Sequence, residues 1–159
     1  MIEMKAYGRY DLQVKLWEGG MNEIDSFPIR QDLWVGPDTF VVRLTRDRDG
    51  TPVRYEDRGA VDGHGHIAGP SGYGGTIDGQ LMKNGSVFLQ ATGGEADFVM
   101  LATQTGPDRY RCFRRLDVKE PTRVFGTDVG EGVYYVTTED QLVASADEPP
   151  ADVREPLAA

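Results

Sequence analysis

Polar and apolar residues alternate along much of this chain with a period of two, the signature of strands that bury one face. In Tyr7 to Trp17, Tyr10, Leu12, Val14 and Leu16 fall on one side, and Arg9, Asp11, Gln13 and Lys15 on the other. The alternation returns in Thr39 to Arg46, where Phe40, Val42 and Leu44 share a face, and more weakly in Pro52 to Arg58, where Val53, Tyr55 and Asp57 do. Three short strands then follow one another: Thr76 to Met82, Ser86 to Ala91 and Phe98 to Thr103. The turns between them, Lys83-Asn84-Gly85 and Thr92-Gly93-Gly94, have hairpin chemistry, as does Asp49-Gly50 upstream. Arg109 to Leu116 and Val133 to Thr138 read as further strands, Pro121 to Phe125 as a short edge strand, and Met21 to Gln31 as a long connection. In Arg109 to Leu116 arginines fall on both faces, so the inward side stays open.

Strands with one apolar face and short turns between them bury that face, and lose their exposed edges, by curling into a barrel. The predicted fold class is therefore all-β: a closed antiparallel barrel of about eight strands, a number whose interior holds side chains or one small ligand. The barrel is assigned residues 1–145. Residues 146–159, with their Asp, Glu and Pro, read as a flexible acidic tail, because they offer too little apolar surface to offset the entropy of ordering.

Composition adds mainly exclusions. Seventeen basic against 26 acidic residues give a net charge of -9, a field that repels phosphate, so neither nucleic acid nor an anionic membrane is an expected partner. No apolar run approaches the ~18 residues of a membrane helix, and no basic stretch precedes an apolar run at the start. Cys112 is the only cysteine and cannot staple its own chain, which fits a reducing cytoplasm.

Few residues suggest explicit chemistry. His64 and His66 would point to one side of a strand, but the glutamate and third histidine that complete a cupin-type metal centre do not follow, so no metal is predicted and His66 reads as a pocket-lining residue. Cys112 lies among Arg109, Arg111, Arg114 and Arg115, and is either a thiol of lowered pKa or a small buried apolar residue. The glycine-rich Gly72 to Gly75 and Thr92 to Gly94 open no helix after a strand, so they are turns and not phosphate loops. Aromatic residues are spread over nearly every strand, and several must converge if the sheet closes.

The stretch Phe88 to Phe98 resembles the segment of allene oxide cyclases and dirigent proteins in which a strand ends in a Thr-Gly-Gly turn with a phenylalanine a few residues beyond. Tyr73-Gly74 lies at nearly the distance at which plant allene oxide cyclases carry a Tyr-Gly. The barrel cyclases of bacterial spirotetronate polyketide pathways are similar over a longer span, about Val35 to Thr103. The shared pattern is Phe40, Asp49-Gly50, Asp62-Gly63 with His66 and Gly69, then Ala91-Thr92-Gly93. Ala96, Met100 and Thr103 stand where allene oxide cyclases tend to have glycine, and no catalytic carboxylate of the plant enzymes has a counterpart.

The resemblance implies a cyclase that folds a linear polyketide in an apolar cavity and promotes an intramolecular Diels-Alder-type closure without a cofactor. On that reading Tyr55 or Gln90 donates a hydrogen bond to an activating carbonyl, and Trp34, Phe40, His66, Phe88, Phe98, Met100 and Gln104 shape the cavity. The expected partners are a hydrophobic small molecule and, as a homodimer, a second barrel. The alternatives are a barrel that binds such a molecule unchanged, an allene-oxide-type isomerase, and a protein-interaction module, which predicts a filled interior and an apolar outer patch.

Overall fold

The alternating runs close into a ten-stranded antiparallel barrel in the computed structural model, which describes residues 6–106 and 109–157. The strands are β1 (Tyr7–Glu18), β2 (Glu23–Val35), β3 (Thr39–Arg48), β4 (Thr51–Val61), β5 (His66–Pro70), β6 (Thr76–Leu81), β7 (Val87–Thr92), β8 (Ala96–Gly106) and β9 (Arg109–Val118), with β12 (Gly132–Ala146) last. Each pairs with its neighbour in sequence, and β12 lies between β9 and β1 to seal the wall. Between β9 and β12, β10 (Thr122–Val124) and β11 (Thr127–Val129) form a separate hairpin.

The end at which β1 finishes is called upper here. The β10–β11 hairpin lies across this mouth, tied to the β7–β8 turn by Thr122 on Glu95 (2.6 Å) and to the β2–β3 side by Arg46, which donates to Phe125 O (3.0 Å) and Thr127 Oγ1 (2.8 Å). Its turn residues Phe125 and Gly126 both have positive φ, 48° and 86°. A phenylalanine at such a φ is strained; burial of its ring, which meets Tyr55 edge-on at 5.4 Å, offsets that strain. The hairpin is therefore a plug.

Glycines near the upper rim let main chains touch. A β-carbon on Gly72 would sit 2.2 Å from the Tyr55 ring, and one on Gly75, whose φ is +69°, 2.2 Å from the carbonyl of Thr92. The Tyr-Gly-Gly and Thr-Gly-Gly motifs thus serve close packing of two turns.

Three sequence expectations differ from the structure. The connection assigned to Met21 to Gln31 is mostly strand, because Phe27, Ile29 and Gln31 continue an inward alternation and Pro28 lies on a stretch without a β3 partner, where a sheet tolerates proline. The strand count is ten, since β2 is a full stave and the glycine-loosened segment around His66 pairs on both sides. The segment read as a flexible tail carries a single helical turn, α1 (Ala151–Arg154), seated on the outside of the barrel with Val153 1 % exposed.

Candidate functional site

Alternation carries Tyr55 and Asp57 of β4 inward, and β9 sends Tyr110, Cys112, Arg114 and Leu116 inward while Arg111, Phe113 and Arg115 face out. Asp57 and Arg114 meet inside the tube, at 0 % and 2 % exposure. One Asp57 oxygen accepts from the Tyr55 hydroxyl (2.7 Å) and the Gly72 N–H (2.9 Å); the other faces Arg114 Nη1 at 3.4 Å. The guanidinium carbon lies 4.7, 5.6 and 5.7 Å from the centres of the Phe98, Tyr55 and Phe125 rings, whose faces attract the cation.

Burial dominates the titration of the acidic members of this cluster. It pushes the Asp57 carboxyl up from its ordinary value, although Arg114 and the hydrogen bonds pull the other way. Arg114 remains charged, held by the facing Tyr55, Asp57 and Cys112 groups against its own desolvation. Burial also raises the Tyr55 and Tyr73 hydroxyls, and Tyr73 Oη is buried without a hydrogen-bond partner.

Below the ion pair, β12 contributes Thr138 and Asp140, whose side chains hydrogen-bond to each other. Asp140 is 4 % exposed, and burial pushes its carboxyl up to about 7 against the pull of Thr138 and Arg114. It lines a cavity of about 20 Å³ with Gln31, Phe40, Met100, Tyr110 and Cys112, a volume on the order of one water molecule. Tyr110 and Tyr10 meet edge-on at 5.6 Å, and the Tyr110 hydroxyl donates to Gly85 O in the lower β6–β7 turn (3.3 Å). These two rings lie toward the lower mouth.

Of the residues singled out from sequence, five face inward. Phe40 and Met100 line the cavity, Tyr55 and Phe98 surround Arg114, and Gln104 follows Phe98, Met100 and Ala102 on the inward side of β8. The other four are corrections. Gln90 and Phe88 lie on the outer face of β7, because Val87, Leu89 and Ala91 take the inward positions. Trp34 packs outside, against the cluster of Tyr7, Val41 and Val153. His66 is exposed, its Nε2 2.7 Å from Asp78. Cys112 follows the apolar alternative: burial pushes its thiol up to about 11, and of its neighbouring arginines only Arg114 shares the interior.

Sequence reasoning missed Asp57, Tyr73, Arg114 and Asp140 as site residues. Asp57 carried a signal, an acid on the Tyr55 side of an alternating strand. Asp140 carried none while the last strand was ended at Thr138.

Two depressions, about 640 and 490 Å³, are on the outer wall. The second runs over β8, β9, β12 and β1 beside an apolar row: Phe88, Leu101 and Phe113 stand side by side in register on three strands, with Val99 next to them, and Leu101 and Phe113 are 43 % and 47 % exposed. Among the described residues no helix is long and apolar enough to cross a membrane.

No protein-family model matches the chain, and no curated protein does. Among solved structures, the S-type phycobiliprotein lyase CPES from Guillardia theta is similar in fold: the TM-score is 0.53 at 8% identity, over 87% of this chain and 89% of that one. At that identity the likeness is one of architecture.

Proposed function

We propose that the chain is a binding barrel for a compact, largely apolar molecule carrying one carbonyl or carboxyl oxygen, seated in the lower half of the tube with that oxygen toward Arg114 and Asp140. The observation that carries the reading is the buried carboxyl of Asp140 in the cavity wall, in the field of the buried Arg114 guanidinium, where burial pushes it up to about 7. A structural core gains little from burying such charges, whereas binding and catalytic sites combine apolar walls with a few convergent polar groups of shifted pKa. Phe40 and Met100 supply the apolar wall. An acid that is half protonated near neutrality can also give or take a proton at the ligand oxygen, so proton-transfer isomerisation is the chemistry this wall suits. The buried free thiol of Cys112 agrees with a cytoplasmic location.

Neither such a compact molecule nor an elongated polyketide fits the cavity as it stands. Ligand pockets usually enclose ~300 Å³ or more, against about 20 Å³ here. Even a compact guest therefore requires Tyr10 and Tyr110 to swing aside and the lower half to widen, and an elongated polyketide requires more of the same movement. The test is calorimetric titration of compact ketones, carboxylic acids and matched hydrocarbons into the wild type and Tyr110→Ala. The oxygenated compounds should bind, larger ones should bind only Tyr110→Ala, and Arg114→Met should lose the oxygenated compounds while keeping the hydrocarbons. No binding to either folded protein would sink the proposal. Incubation with a linear polyene bearing an activated alkene then separates carrier from cyclase, by unchanged substrate or faster ring formation than in buffer.

A protein-interaction module is favoured by a separate observation, the outward row of half-buried Phe88 and exposed Leu101 and Phe113 over a nearly filled interior. A second barrel against this row would form the homodimer. Sedimentation of the wild type and Leu101→Ser/Phe113→Ser decides it: dimer in the first and monomer in the second support the reading, and monomer in both removes it.

A further inference from the structure

The C-terminal turn is held in an unusual way for a surface segment. Arg43 of β3 donates to the main-chain carbonyls of Asp152 (2.8 Å) and Glu155 (2.6 Å), and Arg58 of β4 to those of Val153 (2.7 Å) and Arg154 (3.2 Å). Glu56, between them on the same outer face, fixes both guanidinium groups at 2.9 and 3.1 Å and accepts from the Leu157 N–H (3.3 Å). Burial would raise the Glu56 carboxyl, but the bonds from Arg58 and Arg43 outweigh it and hold it below its ordinary value, so the three charges stay in place.

The last carbonyls of a helical turn have no intrahelical partner, and cations suit that end of a helix. Four consecutive carbonyls here meet two arginines that are themselves held by one carboxylate. Val153 enters a pocket formed by Tyr7 and Val41 with Trp34 at its edge, Pro149 is buried and Leu157 half-buried, whereas Asp152 and Glu155 are exposed and Arg154 pairs with Glu148 of the same segment. This face therefore recognises a main-chain shape, with Val153 as the aliphatic anchor in the Tyr7–Val41 pocket. Nothing in that recognition distinguishes the chain's own tail from an identical one. Only residues 147–149 separate the end of β12 from Pro150, so the tether keeps the resident tail at a high local concentration.

We propose that the outer face of β3 and β4 is a peptide-binding groove, that its resident ligand is the chain's own C-terminal turn, and that the tail of a second copy is the partner it accepts in exchange. The inference is independent of any ligand inside the barrel.

The test uses the full chain and a fluorescein-labelled synthetic peptide of residues 147–159, read by polarisation. Wild type should bind the peptide weakly, because its own tail competes. Val153→Asp, which evicts the resident tail, should bind it at least tenfold more tightly. Adding Arg43→Gln to Val153→Asp should abolish the gain, and a peptide carrying Asp in place of its valine should bind none of them. Val153→Ser serves as a milder eviction should the aspartate variant not fold, with circular dichroism confirming the barrel in each. Equal peptide affinity in wild type and in the folded eviction variants, or no binding to any of them, overturns the proposal.

Discussion

Asp140→Asn is the sharpest probe of the interior. The substitution keeps the shape of the side chain and an oxygen to accept from Thr138, and removes the charge. In the folded chain the Asp140 carboxyl titrates at about 7, against an ordinary 3.8. Three pH units at about 1.4 kcal/mol each amount to about 4 kcal/mol. Because the folded value is raised, the fold is favoured in full below about pH 4. Its stability then falls with rising pH, as the unfolded chain ionises and the folded one does not, and levels off above about 7. The asparagine chain escapes this loss. Its advantage over wild type should be small near pH 4, between about 1 and 2 kcal/mol at pH 5, and about 4 kcal/mol at pH 8. At pH 8 that corresponds to a rise in Tm on the order of 10 °C for a chain of this size. Urea unfolding of both proteins from pH 5 to 8 measures the difference directly, and the other titrating groups cancel in the comparison. A difference that does not change with pH would show that Asp140 is ionised in the fold, held by Thr138 and Arg114; an asparagine variant less stable at pH 8 would refute the reasoning outright.

Three further outcomes are expected. Arg114→Met leaves Asp57 buried without its cation and should cost about 3 to 5 kcal/mol in urea unfolding at neutral pH, with much of the loss recovered when Asp57→Leu is added. Phe125→Ala removes the ring that plugs the upper mouth and should cost about 3 to 5 kcal/mol; faster amide exchange in β10 and β11 than in β1 and β12 would locate the loss. Gln90→Ala and His66→Ala, both on the outer wall, should leave stability within about 0.5 kcal/mol of wild type and leave interior ligand affinity unchanged, as titration calorimetry would show.

Much of the wall was legible because period-two alternation is a local property. Tyr10 to Leu16, Phe40 to Leu44 and Phe98 to Met100 point where their spacing says they should. Strand β7 was not. In Val87-Phe88-Leu89-Gln90-Ala91 both parities contain apolar residues, and the larger ring was assigned to the interior. Volume decided otherwise: a β-carbon on Gly79 would come 2.6 Å from Leu89 Cδ2, and with Arg114 and Phe98 already inside, this wall takes Val87, Leu89 and Ala91. Strand β9 was ambiguous for a related reason. An arginine is read as solvent-facing by default, and only the presence of Asp57 and three aromatic rings across the barrel makes Arg114 the inward one.

By itself the amino-acid order determined an all-β barrel, its hairpin turns, and an interior that would gather Phe40, Tyr55, Phe98 and Met100, since these follow from nearest neighbours along a strand and from which residues tolerate positive φ. Only the tertiary structure decided that the upper mouth is plugged by Phe125, that Asp57 and Arg114 pair inside, that burial raises the Asp140 carboxyl, and that the tail lies on β3 and β4. Each of those depends on groups from distant strands meeting in a space whose volume and solvent access exist only once the sheet has closed.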